Sequence, residues 1–261
     1  MKLLISFTTY PRSGKVTFEL LQYTFDSLII RDELSDIAYE FLVVGDDYPN
    51  IHELSPIFKG YNVTFHNINQ NNALRKEHIS KDIRWAQAVQ RSKIFILEKA
   101  LEMDYDYILM SADDETYMNR KISTSITYSK ENSEPDFVFS AGTHTPGHGQ
   151  PTIMFPSKPC LYPEPNNCIS SGCLYKLRNR RFIQDMIDFR KQCWLTVQMY
   201  VHACNHKRQD TIYSLEKRIK PEDYQLWEYL LPKFQRQTYS CVFIPEVLIH
   251  HGPERSLFQY L

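Results

Sequence analysis

The sequence predicts an α/β fold, a mainly parallel central sheet flanked by helices, and two observations carry that reading. Short apolar runs alternate with helical periodicities through about the first 120 residues, a pattern that puts crossover helices over buried parallel strands. Three of these runs stop at polar clusters, and ligand chemistry in such sheets gathers at the carboxyl ends of the strands. At 261 residues, 43% hydrophobic and 23% charged, the chain reads as one domain with a sizeable core.

Each element has its own signal. Leu3 and Leu4 lead into Ile5–Thr8, an apolar run that stops at Tyr10-Pro11-Arg12-Ser13-Gly14, as a buried strand does at a turn. Leu21, Phe25 and Leu28 recur at intervals of four and three and predict a helix over about 15–30. Tyr39–Val44, closed by Gly45-Asp46-Asp47, is the second strand, and Tyr61–Phe65 the third. Helical spacing from about Ile83 to Met103 precedes a short strand, Tyr107–Met110, which ends in Ser111-Ala112-Asp113-Asp114-Glu115. Six prolines between Gly142 and Asn167 predict a long loop or short hairpins lying over the ligand edge. Beyond it, Cys168–Tyr175 reads as a strand, Arg180–Cys204 as a long helix and Pro221–Leu230 as a short helix opened by proline. Val242–Gly252 is a last strand that carries His250-His251.

Composition removes several function classes. Thirty basic residues against thirty-one acidic ones leave a net charge of −1, so bulk charge attracts no nucleic acid. Only Gly147 and Gly149 of the eight glycines lie close together, and both the dinucleotide fingerprint and the P-loop are absent. No apolar run approaches the roughly 18 residues of a membrane span, and Lys2–Phe7 is too short for a signal peptide. The expectation is a soluble, cytoplasmic protein of bacterial or viral origin. The six cysteines lack zinc-site spacing and are expected to be buried free thiols.

The residues that can carry chemistry sit at the strand ends. Asp113-Asp114-Glu115 is the densest acidic cluster, and adjacent carboxylates repel unless water or a cation screens them. It is either a solvated turn or a site for Mg²⁺ or Mn²⁺, which favour a few carboxylates together with phosphate oxygens. Asp46 can accept from a uracil imide or a ribose hydroxyl, or simply close a turn. Thr8-Thr9-Tyr10-Pro11 offers amides, hydroxyls and an aromatic face to a nucleobase, or forms a plain strand-to-helix turn. Glu222-Asp223 suits either acid–base work or the positive end of a helix dipole. At most one of His250 and His251 can face a site, as neighbours in an extended chain point apart. His144 and His148 read as loop residues.

Taken in order, these segments resemble the glycosyltransferases of the GT-A fold, in particular the inverting family 2 type that includes spore-coat polysaccharide glycosyltransferases. The likeness covers roughly residues 3–230 and rests on Ser6-Phe7-Thr8-Thr9-Tyr10, Asp46-Asp47, Arg91, Ala112-Asp113-Asp114-Glu115-Thr116-Tyr117-Met118 as the D-x-D-type motif, and Glu222-Asp223. It implies a Rossmann-like nucleotide half over about 1–118 and an acceptor half over about 119–261. It also implies that Thr8, Thr9, Tyr10, Arg12, Asp46, Arg91 and Asp113 bind the nucleotide, with a UDP-sugar favoured as donor. Asp114, with Glu115 and His251, would hold a divalent metal, Mn²⁺ or Mg²⁺. Many members end the motif with aspartate where this chain has Glu115. Asp223 would be the base that deprotonates a glycan or other hydroxyl acceptor, with Glu222 orienting acceptor or donor, and Ser170-Ser171-Gly172 would line the acceptor side or equally form a tight turn. Two rival readings are a nucleotidyltransferase on the same type of sheet and a non-catalytic carbohydrate-binding relic.

Overall fold

A computed structural model describes residues 1–12, 15–32, 34, 36–68, 79–80, 83, 90–118, 120–144, 153–156, 160–163 and 170–251. Four strands form its parallel half: β1 (Lys2–Thr9), β2 (Ala38–Asp46), β3 (Val63–Ile68) and β4 (Tyr107–Ala112), in the order β3-β2-β1-β4. The sheet continues from β4 through β8 (Cys173–Lys176), β6 (Phe137–His144) and β9 (Cys241–His251) to β5 (Thr116–Tyr117), and β7 (Ile153–Phe155) pairs with β6. Because β8 runs against both β4 and β6, the long strands β6 and β9 point the same way as β1, β2 and β4. Their carboxyl ends therefore share one edge.

Helical segments cover the two faces of the sheet. Helix α1 (Val16–Phe25) continues as a π-turn over Asp26–Ile30, and a 3₁₀ segment spans Ile51–Phe58. The remaining α-helices are α2 (Gln90–Glu102), α3 (Lys121–Glu131), α4 (Arg180–Asn205), α5 (Gln209–Glu216) and α6 (Glu222–Gln235). Alternation along the strands sorts the core. Leu3, Ile5 and Phe7 pack with Phe25, Phe41, Phe58 and Ile122 on one face, whereas Leu4, Leu42 and Ile108 pack with Leu97, Phe182, Ile187 and Trp227 on the other. No helix among the described residues is long and apolar enough to cross a membrane.

The predicted strands and helices are present, with differences that have local causes. The third strand lies later than Tyr61–Phe65. It is the edge strand of the sheet, so it can take polar His66 and Asn67 into register with Val44 and Gly45, while Tyr61 packs edge-on to Phe25 and Phe41. The predicted Cys168–Tyr175 strand begins only at Cys173, because Gly172 turns the chain with a φ of +69°; residues 164–169 lie outside the described residues. Of the predicted 83–103 helix, 84–89 lie outside them too. Ile153–Phe155 folds back on Gly142–His144 as one of the expected hairpins. Helix α6 runs past its predicted end and carries Pro232 within it.

Strand β6 and helix α3 have weak sequence signals. The inward stripe of α3 is Ile122, Ser125, Ile126 and Ser129, so half of it is polar. In β6, buried Ser140 accepts a hydrogen bond from Lys121 Nζ at 2.9 Å. That contact buries the Lys121 ammonium and burial pushes its pKa down to about 8. The five described cysteines, Cys160, Cys173, Cys193, Cys204 and Cys241, are free thiols.

The entry of α3 is fixed from a distant segment. Asp32, buried after the π-turn, accepts from the backbone N–H of Ile122 at 2.6 Å and of Ser123 at 3.1 Å, and from the Ser123 hydroxyl at 2.5 Å. It does the work of an N-cap across ninety residues of chain. Asp32→Ala is expected to cost about 1–2 kcal/mol in urea unfolding, with Asp32→Asn recovering part of the loss. An unchanged midpoint for Asp32→Ala would refute the capping role.

Candidate functional site

The edge where β2, β1 and β4 end carries the three polar clusters side by side. Thr8 lies in register with Val44 on one flank and with Ala112 on the other, and Thr9 with Gly45, so Asp46 and Asp113 follow directly on either side of the β1 terminus. Three segments separated by long stretches of sequence thus meet at one place, as the strand-end reading requires.

Asp113 is the centre of the arrangement. Its side chain is 3% exposed and accepts from the Thr9 hydroxyl at 2.5 Å. Arg12 donates to both of its oxygens, from Nη1 at 2.5 Å and Nη2 at 2.9 Å, and Nη2 also reaches Asp114 Oδ2 at 3.4 Å. The guanidinium lies 3.8 Å from the centre of the half-exposed Tyr10 ring, a cation–π contact. Burial opposes charge on Arg12, but the hydrogen bond and field of Asp113 outweigh it and raise the pKa overall. Burial likewise pushes the Asp113 carboxyl up, and Arg12 and Thr9 pull it back. The turn that delivers Arg12 is braced by Thr17, whose Oγ1 accepts from the Arg12 backbone N–H at 2.9 Å and donates to the Tyr10 carbonyl at 3.1 Å.

Asp46 is positioned by the close return of the chain after β2. A Cβ on Gly45 would lie 2.8 Å from both Ile51 and Tyr48, so only glycine lets the 3₁₀ segment pack there. Asp47 follows in the left-handed region, with a φ of 53°. The Tyr48 backbone N–H donates to Asn67 Oδ1 at 2.7 Å and its hydroxyl to Glu53, which fixes the far wall of this end of the sheet.

Glu115 is 3% exposed, and its backbone N–H donates to Thr24 Oγ1 at 3.1 Å. Beneath it lies Tyr117, whose hydroxyl is pushed up in pKa by burial and then by the Glu115 charge, and which donates to Ser111 Oγ at 2.7 Å. The Ser170-Ser171-Gly172 segment meets this ring. Ser171 Oγ accepts from the Ala112 backbone N–H at 3.2 Å, and a Cβ on Gly172 would sit 2.6 Å from Tyr117 Cε1. These residues pack against the acidic turn, and the tight turn that the sequence allows at Gly172 is present.

On the other side of the turn, Thr116 pairs with His250 and Tyr117 with Ile249, bringing the last strand against the acidic motif. His250 Nδ1 is 2.7 Å from Thr143 Oγ1. His251 extends β9 beside His144 in β6, and its side chain lies outside the described residues. Glu222 and Asp223 open α6, and their side chains lie outside them as well. Helix α6 packs Trp227 and Phe234 against Phe137 at the start of β6 and leads into β9.

Arg91 stands in the first turn of α2, its guanidinium 5.9 Å from the centre of the Trp194 ring of α4. Two residues later comes a cation that sequence reasoning missed. Lys93 Nζ donates to Ser170 Oγ at 3.2 Å, next to the segment that grips Ala112. Its signal was available, because the first turn of a helix that leads into β4 must lie at the carboxyl edge of that strand. Among the described residues no group of three His, Cys, Asp or Glu side chains comes together.

Comparison with known proteins places this arrangement in a fold. No protein-family model matches the chain. It is 22% identical to R139 of Acanthamoeba polyphaga mimivirus, described as an uncharacterised glycosyltransferase, over 98% of this chain and 96% of that one. Two crystal structures of Staphylococcus aureus TarS overlay on it: TarS 1–349 with a TM-score of 0.50 and 10% identity over 99% of this chain, and TarS with 0.53 and 12% over all of it. The chain spans 63% and 38% of the length of those two structures. The fold is of the GT-A type, a mostly parallel sheet flanked by helices with its polar strand ends on one edge.

The Gly172 contact yields a test of how the acidic turn is held. Gly172→Ala meets both the left-handed backbone, worth about 1–3 kcal/mol, and the Tyr117 ring. We expect a stability loss in that range by chemical denaturation. A loss under about 0.5 kcal/mol, the scatter of neutral surface changes, would mean that the segment is not a clamp.

Proposed function

We propose that the chain is a glycosyltransferase that moves a sugar from a nucleoside diphosphate donor, a UDP-sugar foremost, to a hydroxyl acceptor with inversion and with the help of a divalent ion. The observation that carries this reading is the meeting of Thr9, Asp46, Asp113 and Asp114 at adjacent parallel strand ends. The full-length likeness to a viral glycosyltransferase supports it.

The residues would divide the work by chemistry. Asp46 is a carboxylate acceptor suited to a base imide or ribose hydroxyl, and the exposed Tyr10 ring offers a face for stacking. Asp114, with Glu115 and His251 as further donors, fits a hard ion, because Mg²⁺ and Mn²⁺ are bound by one or two carboxylates plus substrate phosphate rather than by an all-protein cage. Bound there, the ion would supply Lewis-acid stabilisation of the departing diphosphate. Asp223 would take the acceptor proton as the new bond forms, and Glu222 would orient the partner hydroxyl.

Donor binding is tested by thermal shift with UDP and Mn²⁺. At about a hundredfold excess over Kd the native state gains about 2.7 kcal/mol, or roughly 5–10 °C for a chain of this size. The shift should vanish with EDTA and in Asp114→Ala. An equal shift with EDTA and with Mn²⁺ would remove the metal from the reading.

The acceptor step has its own test. Asp223→Asn keeps the shape without the basicity, so transfer should fall by about 10²–10⁴-fold while UDP binding by calorimetry stays at the wild-type value. A rate within about threefold of wild type would take the base role away from Asp223. Retained anomeric configuration in the product, read by NMR, would contradict a single displacement.

A further inference from the structure

A buried acidic pair needs a cation before any ligand arrives, and Arg12 supplies it. Its guanidinium grips both oxygens of Asp113 at 2.5 and 2.9 Å but touches Asp114 through one longer contact of 3.4 Å. Thr17 braces the turn from below and the Tyr10 ring lies against the guanidinium, whose side chain is only 12% exposed. Such a group is a stationary charge rather than a mobile surface arginine.

Resting on the nucleotide-sugar reading above, we infer that Arg12 is a tethered counter-ion that keeps divalent metal off Asp114 until a nucleoside diphosphate arrives, so that metal uptake is coupled to donor binding. The asymmetry of the contacts gives the order of events. Asp113 stays committed to the fork, and Asp114 is the carboxylate that can be yielded. A guanidinium and a divalent ion beside one carboxylate repel each other strongly in a site this dry. A diphosphate reverses the balance, because it brings oxygens for the ion and a second anion that the guanidinium can hold as well as it holds a carboxylate.

The test is Mn²⁺ binding by electron paramagnetic resonance, with and without UDP, on the full chain and on Arg12→Gln. The double variant Arg12→Gln with Asp113→Asn accompanies it, because it removes the buried charge that Arg12 neutralises and so guards against misfolding. Wild type should take up Mn²⁺ about tenfold or more tightly once UDP is present. In a folded Arg12 variant, Mn²⁺ without UDP should bind about tenfold or more tightly than in wild type, so the gain from UDP should shrink, and by linkage the gain that Mn²⁺ gives to UDP binding should shrink equally. Unchanged or weaker Mn²⁺ binding in folded variants without UDP overturns the counter-ion role, and so does a wild type that binds UDP yet holds Mn²⁺ equally with and without it; both results leave the donor reading standing. A wild type that binds no UDP at all by calorimetry, with or without Mn²⁺, defeats the donor reading and this inference together.

Discussion

Two adjacent carboxylates at the end of a buried strand repel each other where water screens them poorly, and a chain can place them there only if a cation is brought to the same spot. Here the cation comes from Arg12, beyond the neighbouring strand, about a hundred residues away in sequence. The parallel pairing of β1 with β4 is therefore an electrostatic requirement as well as a hydrophobic one. A slip of one residue in that register would reverse the faces of Leu3, Ile5 and Phe7 and would also carry Thr9 and Arg12 away from Asp113. Core and site specify the same alignment, which is why a strand end with so much buried polarity can be part of a stable sheet.

The second half of the sheet answers to Tyr117. Its ring is fully buried, its hydroxyl is tied to Ser111, and the left-handed Gly172 makes room for it. The two-residue strand that carries it is long enough to pair with β9, and that pairing brings His250 to the acidic turn. The positions of the acidic motif, the Ser-Ser-Gly turn and the last strand are therefore not independent. Each is held by contact with one aromatic side chain.

What the sequence made legible follows from this division. Strands β1, β2 and β4 and helices α1 and α4 have continuous or periodic apolar patterns, and those were readable along with the polar residues at their ends. Strand β6 and helix α3 were not, because Ser125, Ser129, Ser140 and Lys121 occupy inward positions where a pattern reader expects hydrophobic residues. The same limit applied to the site. Thr9, Asp46 and Asp113 were identifiable one by one as strand-end residues, whereas the Arg12–Asp113 fork is a pairing between distant segments that no local pattern encodes. Ser171 and Gly172 were readable as an acceptor-side segment or as a tight turn, and the turn is present, with Gly172 lying close against the Tyr117 ring.

The charge distribution along the edge carries one more consequence. Asp46, Asp47, Asp113 and Asp114 crowd the ends of β2 and β4, while Arg12 is already committed to two of them and Lys93 stands at the side of the β8 turn. Among the described residues at this edge, a bare diphosphate would meet more negative charge than positive. Either its charge is reduced by an accompanying cation, or it must displace carboxylates from the arginine they share. The two routes converge on the same group, since Arg12 holds Asp113 by the short fork and reaches Asp114 Oδ2 at the longer 3.4 Å. On the proposed reading, anion binding at this edge would be linked to cation exchange at Asp114, and the acidic character of the edge would be the reason that a diphosphate enters together with a metal ion.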